Sequence, residues 1–88
     1  MRTKLKATVH NANIRGCEKK TNANGGEYLL VRFEDEAGAA HELVDKDLSR
    51  QPYYKRNTDM DLSIEVDAGP KFTNIRIIDA RILEAEEV

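Results

Sequence analysis

The side chains most capable of chemistry are His10, Cys17 and His41. Both histidines fall in segments that alternate like strands, and Cys17 is the only cysteine, so the paired spacing of a zinc site is missing. Lys19 and Lys20 could lower the thiol pKa of Cys17. A nucleophile also needs a base and an oxyanion site, and the sequence offers no candidate for either. Carboxylates are abundant but lie on loops and on the polar faces of strands. No glycine-rich phosphate loop opens a helix. The sequence therefore predicts no enzyme, no catalytic residue, no metal and no cofactor.

Binding is the better prospect. Proteins that hold single-stranded nucleic acid combine a cationic groove for the backbone with aromatic faces for the bases. The aromatic residues are Tyr28, Phe33, Tyr53, Tyr54 and Phe72. Phe33 shares a strand face with Leu29 and Val31, which makes it core. Tyr28 points the other way, with Leu30 and Arg32. Phe72 follows Gly69-Pro70-Lys71 at a turn tip, where a large apolar ring has no evident burial. Tyr28 and Phe72 are thus the stacking candidates. The competing reading makes Tyr28 a rim residue and Phe72 a core or dimer contact.

The formal net charge of −2 does not suggest a nucleic-acid partner; its distribution is more informative, although composition alone favours a mixed solvated surface. Residues 1–33 carry Arg2, Lys4, Lys6, Arg15, Lys19, Lys20 and Arg32 against Glu18 and Glu27, a balance of +5. Acids gather at 34–36, at 59–67 and at Glu84, Glu86 and Glu87. Such segregation can build a basic face on an acidic molecule.

These residues need strands to position them. Leu5, Ala7 and Val9 alternate with polar residues, and the apolar phase then slips at Ala12 and Ile14, the mark of a β-bulge. The first strand should run from about Lys4 to Arg15 and bend. Gly16 to Gly26 reads as a loop. Glu27–Glu34 is a second strand, Asp35-Glu36-Ala37-Gly38 a hairpin turn and Ala39–Val44 a third strand. Asp45 is placed to cap one helical turn through Ser49, which Pro52 would stop. Met60, Leu62, Ile64 and Val66 define a fourth strand. Ala68-Gly69-Pro70 is a turn, and Phe72–Leu83 is a fifth strand whose phase slips near Ile77–Ile78. Five strands, two of them long and bulged, predict an all-β, five-stranded OB-fold-like barrel.

The 88 residues suffice for one domain, here 1–83, followed by an acidic tail at 84–88. A domain of this size buries only about 60% of its unfolded surface. With no disulfide available, a homodimer would supply the missing burial. No apolar run approaches the roughly 18 residues of a membrane span. No secretory segment is recognisable, and the reading is a soluble protein of the cytoplasm.

The motifs also form a series. Gly25-Gly26-Glu27-Tyr28-Leu29-Leu30 opens the second strand. Gln51-Pro52-Tyr53-Tyr54 precedes the fourth. Gly69-Pro70-Lys71-Phe72 leads into Ile75, Ile77, Asp79 and Arg81. In order and spacing this series resembles the gene V-type single-stranded DNA-binding (helix-destabilising) proteins of filamentous phages, along nearly the whole chain. The resemblance implies an OB-like barrel, a two-fold dimer and cooperative, largely sequence-independent coating of replication intermediates in a bacterial host cell. It assigns base contacts to Tyr28 and Leu30 and a DNA-reaching loop aromatic to Phe72. Phosphate contacts fall to Arg81, Arg15, Lys19 and Lys20, and a structural role to Tyr54. Two features depart from the family pattern. The hairpin at 34–40 is shorter and acidic, and the tail from Leu83 to Val88 is acidic where the family ends on a basic residue. That tail could dock replication proteins, compete with DNA or simply fray. RNA is a second possible ligand. The rival readings are an OB- or SH3-like protein-interaction module of a replication or mobile-element complex, and a virion or accessory protein.

Overall fold

A computed structural model describes residues 3–83. The tail at 84–88 and Arg2 lie outside the described residues. Five strands follow in order: β1 (Thr3–Thr21), β2 (Glu27–Glu34), β3 (Ala40–Asp45), β4 (Asp59–Ala68) and β5 (Thr73–Ile82). A short 3-10 helix, Leu48–Tyr53, lies between β3 and β4. The strands close a ring in the order β1-β2-β3-β5-β4. Every neighbouring pair is antiparallel except β3 and β5, which run parallel through Val44 opposite Arg76 and Asp45 opposite Ile77. This is the expected five-stranded, OB-fold-like barrel.

The phase slips in the sequence are bulges. Pairing of β1 with β4 shifts between Val9 and Ala12, where Asn11 takes a left-handed φ of 55°. Asparagine tolerates that region because its side chain bonds locally. A second shift between Ile14 and Gly16 leaves Arg15 as the extra residue. On β5, Ile78 is the extra residue between Ile77, opposite Ile64, and Asp79, opposite Ser63. These bulges let one long strand bend and serve two neighbours.

Three expectations need correction. β1 does not stop at Arg15 but continues to Thr21, pairing with β2 as far as Thr21 opposite Glu27. Its last turns carry Glu18, Lys19 and Lys20, which reach water at the barrel rim, so no apolar alternation marked them as strand. The helical turn is capped by Asp47, whose side chain accepts the Ser49 N–H, and not by Asp45. Pro52 lies inside that helix instead of ending it. Its fixed φ suits a 3-10 turn.

The core is formed by Ile14, Leu29, Val31, Phe33, Met60, Leu62 and Ile77, all buried. Beyond the barrel, the N-terminal half of β1 continues with β4 and β5 as a three-stranded arm. Together they give the molecule a length of 50 Å against 27 and 20 Å in the other directions. The face that is core in the barrel runs on along this arm as Leu5, Val66 and Ile75, which are cross-strand neighbours. Leu5 is 58% and Ile75 43% exposed there.

Candidate nucleic-acid interface

The turn from β1 to β2 positions Tyr28. Asn22 Oδ1 accepts the N–H groups of Asn24 and Gly26, and Gly25 adopts a left-handed φ of 84° that other residues resist. Strand alternation then sends Tyr28, Leu30 and Arg32 to the outer face, while Leu29, Val31 and Phe33 are buried. The turn from β4 to β5 positions Phe72. The Gly69 N–H donates to the Phe72 carbonyl at 2.8 Å, and the ring is left 75% exposed.

These two turns flank one groove. A hollow beside the first turn is lined by Asn22, Gly26, Glu27, Tyr28, Val44 and Lys46. A second hollow shares Val44 and Lys46 and adds Glu65, Asp67, Asn74 and Arg76. A third shares Asp67 and Asn74 and ends at Lys71 and Phe72. The register explains this continuity. Leu30, Val44, Arg76, Glu65 and Lys6 form one outward row across all five strands, and Lys4, Asp67 and Asn74 lie in the next row on the arm.

Charge along this path is uneven. Arg76 is bound to Glu65 at 2.9 Å. Lys4, Lys6, Lys46 and Lys71 have no ion pair among the described residues. None of these four was singled out as a site residue from the sequence. Lys46 follows a buried aspartate and Lys71 a proline, and only the β3–β5 pairing brings the two into one groove.

The basic residues singled out from the sequence behave differently, because each has an acid beside it. Arg32 lies between Glu18 and Glu42, at 3.0 Å from each. Lys20 contacts the same Glu18 at 3.1 Å, and Lys19 contacts Glu27 at 3.4 Å. Those hydrogen bonds from Arg32 and Lys20 hold the Glu18 carboxyl below its usual range. Lys20, Arg32, Tyr28 and Leu30 are still gathered on one face of adjoining β1–β2 pairs, while Lys19, opposite the buried Leu29, leaves the other face. Arg15 lines a separate hollow with Arg32 and His41, and pairs with Glu34. Arg81 is bound to Asp61 toward the far end of β5, roughly 30 Å along the strand from Phe72. Neither Arg15 nor Arg81 lines the groove.

Beneath the groove sits a buried polar anchor. Asp45, fully buried at the end of β3, accepts from Tyr54 Oη, from Arg50 Nη1 at 2.8 Å and from the Asp47 N–H at 2.9 Å. Burial, then the bond to Asp45, pushes the Tyr54 phenol above its ordinary range. Cys17, half-buried nearby, is also raised, first by burial and then by the charges of Asp45 and Glu18. Among the described residues there is no cluster of metal ligands. Among them, too, no helix is long and apolar enough to cross a membrane.

Comparison of the chain with models of known families, with curated proteins and with solved structures finds no match.

Proposed function

We propose that the protein binds single-stranded nucleic acid, DNA first, along the groove between the β1–β2 and β4–β5 turns. The observation that carries this reading is the continuity of the three hollows, with Tyr28 near one end, the exposed Phe72 at the other and, between them, Lys46 and Lys71, which have no ion pair among the described residues. The lining sets Lys46, Lys71 and Arg76 against Glu27, Glu65 and Asp67, so what favours a nucleic acid here is the spacing of aromatic faces with lysines between them, which suits a splayed single strand and not a stacked duplex. Stacking is open to every base, so the affinity that the rings supply is largely independent of sequence. The motif resemblance to gene V-type proteins supports the same reading and supplies its setting, the coating of replication intermediates in the cytoplasm of a bacterial host.

The working unit in this proposal is a homodimer. Its support is the strip of Leu5, Val66 and Ile75, which continues the core face beyond the barrel and leaves Leu5 and Ile75 exposed among the described residues. A second copy would cover that strip.

One observation favours a protein-interaction module instead. The β1–β2–β3 face is self-neutralised by the ladder Lys20–Glu18–Arg32–Glu42. Salt separates the two readings, because polyanion binding releases counterions and weakens steeply with salt. The test is fluorescence anisotropy with labelled oligo-dT and with duplex at two salt concentrations. Strong, salt-sensitive preference for the single strand is expected. Equal affinity for duplex and single strand at matched salt would overturn the proposal.

A further inference from the structure

Asp67 is unlike every other acid among the described residues. Glu18, Glu34, Glu42, Asp61 and Glu65 are each held by an arginine. Asp45 has Arg50 and Tyr54. The remainder accept from lysine, histidine, asparagine or a main-chain N–H. Asp67 accepts from none of them, and its Oδ1 is buried without a donor. A buried acceptor left unmet costs stability, so its persistence calls for a reason.

The surroundings supply one. Asp67 and Asn74 are directly opposite on β4 and β5, so their side chains leave the same face. With Gly69, Pro70, Lys71 and Phe72 they line an open hollow of about 550 Å³. It offers an exposed aromatic face, an acceptor-only carboxylate, an amide that both donates and accepts, and a cation. That combination matches a nucleobase, with its ring against Phe72 and its N–H edge toward the carboxylate.

Resting on the single-strand binding proposed above, we infer that this hollow reads one base and prefers bases with an exocyclic amino group, guanine above all. Guanine presents N1–H and N2–H side by side, which match the two oxygens of a carboxylate. Cytosine and adenine each present one amino group. Thymine places carbonyl oxygens on both sides of its single N3–H, and these oxygens repel the carboxylate. The aspartate χ2 torsion is soft, so Oδ1 can swing to meet a base edge. Phe72 supplies affinity for any base, and Asp67 supplies the discrimination.

The experiment compares three labelled probes of about 16 nucleotides, the upper site size for one OB-fold. They are oligo-dT, alternating thymine and guanine, and alternating thymine and inosine, which lacks the 2-amino group. The expected result is about tenfold tighter binding of the guanine probe than of oligo-dT, with inosine between them. Asp67→Asn should bring all three together without lowering the melting temperature, since it removes an unpartnered charge. Tight but equal binding of the three probes by the natural protein would overturn this inference and leave single-strand binding standing. A guanine preference that persists in folded Asp67→Asn would also overturn it. Failure to bind any of the three would remove the single-strand proposal itself.

Discussion

The hydroxyl of Tyr54 donates to the fully buried carboxylate of Asp45, and this bond ties the β3–β4 connection to the end of β3 beneath the groove. The partners are nine residues apart, and the 3-10 helix between them has no fully buried residue. Arg50 completes the anchor by reaching both Asp45 and the Ile78 carbonyl, the latter at 2.6 Å. The anchor therefore clamps the connection to the bulge of β5 as well.

Tyr54→Phe keeps the ring in the core and removes only the donor. The stranded carboxylate acceptor should cost about 1–3 kcal/mol, read as a lower melting temperature with unchanged binding per folded molecule. Alkali gives an independent reading. The folded-state phenol pKa is raised, so the unfolded chain ionises first. The stabilising contribution is complete below about pH 10 and is lost as pH rises above it. Tyr54→Phe should flatten that alkaline decline. A decline of equal steepness in both proteins would place its origin elsewhere.

The strands were legible because they alternate. Leu29, Val31 and Phe33, and Met60, Leu62 and Ile64, announce their inward face, and the slips at Ala12 and near Ile78 announce bulges. The end of β1 was not legible, since Glu18, Lys19 and Lys20 meet water at the rim. Asp45 looked like a cap because aspartate before a turn usually is one, and only tertiary packing buries it. At the site, Tyr28 and Phe72 could be chosen from local sequence, one by alternation and one by its place after a turn. The groove cations could not. Whether a lysine is free or matched by a carboxylate depends on strand register, which brings Glu18 to Arg32 and leaves Lys46 and Lys71 unmatched.

The acids on the β1–β2–β3 face should restrain binding. Glu18→Gln releases Arg32 and Lys20, so affinity for oligo-dT should rise and its salt dependence should steepen by about one unit for each phosphate gained. Acid should act in the same direction. The Glu18 pKa is lowered in the fold, so its pairing is present above the ordinary carboxylate range and is lost as pH falls through the depressed value. Measuring affinity against salt for both proteins checks this. An unchanged slope would mean that phosphates do not approach this face.

The exposed apolar strip on the arm makes oligomeric state a test of its role. Leu5→Glu or Ile75→Glu puts a charge where a second copy would lie, while the barrel core is left untouched. Light scattering should find the natural protein above its 10.0 kDa chain mass and each variant at that mass, both folded by circular dichroism. A natural protein that is monomeric at low micromolar concentration would leave the strip without a second copy as its cover.

Different cations should contribute unequally. Lys46→Ala and Lys71→Ala remove unmatched charges from the groove, and each should lower the slope of log affinity against log salt by somewhat under one unit. Arg81→Ala removes a cation bound to Asp61 at a distance from the groove, and should change the slope less. The reverse ranking would move the backbone path toward the far end of β5.

The sharpest comparison separates the stacking rings from the core ring. Phe33 is 2% exposed among Ile14, Val31 and Leu62, and its face stacks on His41 at 5.2 Å. Phe33→Ala should cost about 3–5 kcal/mol, a large share of the roughly 5–15 kcal/mol that holds a domain together. Phe72 supports almost nothing, because three-quarters of it faces water. Phe72→Ala should leave the melting temperature nearly unchanged and weaken single-strand binding by about 1–3 kcal/mol, the usual worth of one stacked base. Tyr28 lies between these extremes. It is half-buried and lines the first hollow with Val44 and Lys46, so Tyr28→Ala should show both a modest loss of stability and a loss of binding. Tyr28→Phe resolves the two, since it keeps the ring that stacks and packs while removing the hydroxyl. Melting and anisotropy near natural values for Tyr28→Phe, with both reduced for Tyr28→Ala, would assign the ring to both roles. A Tyr28→Ala protein that melts early yet binds oligo-dT normally when folded would make Tyr28 a packing residue, and would leave Phe72 to carry the stacking by itself.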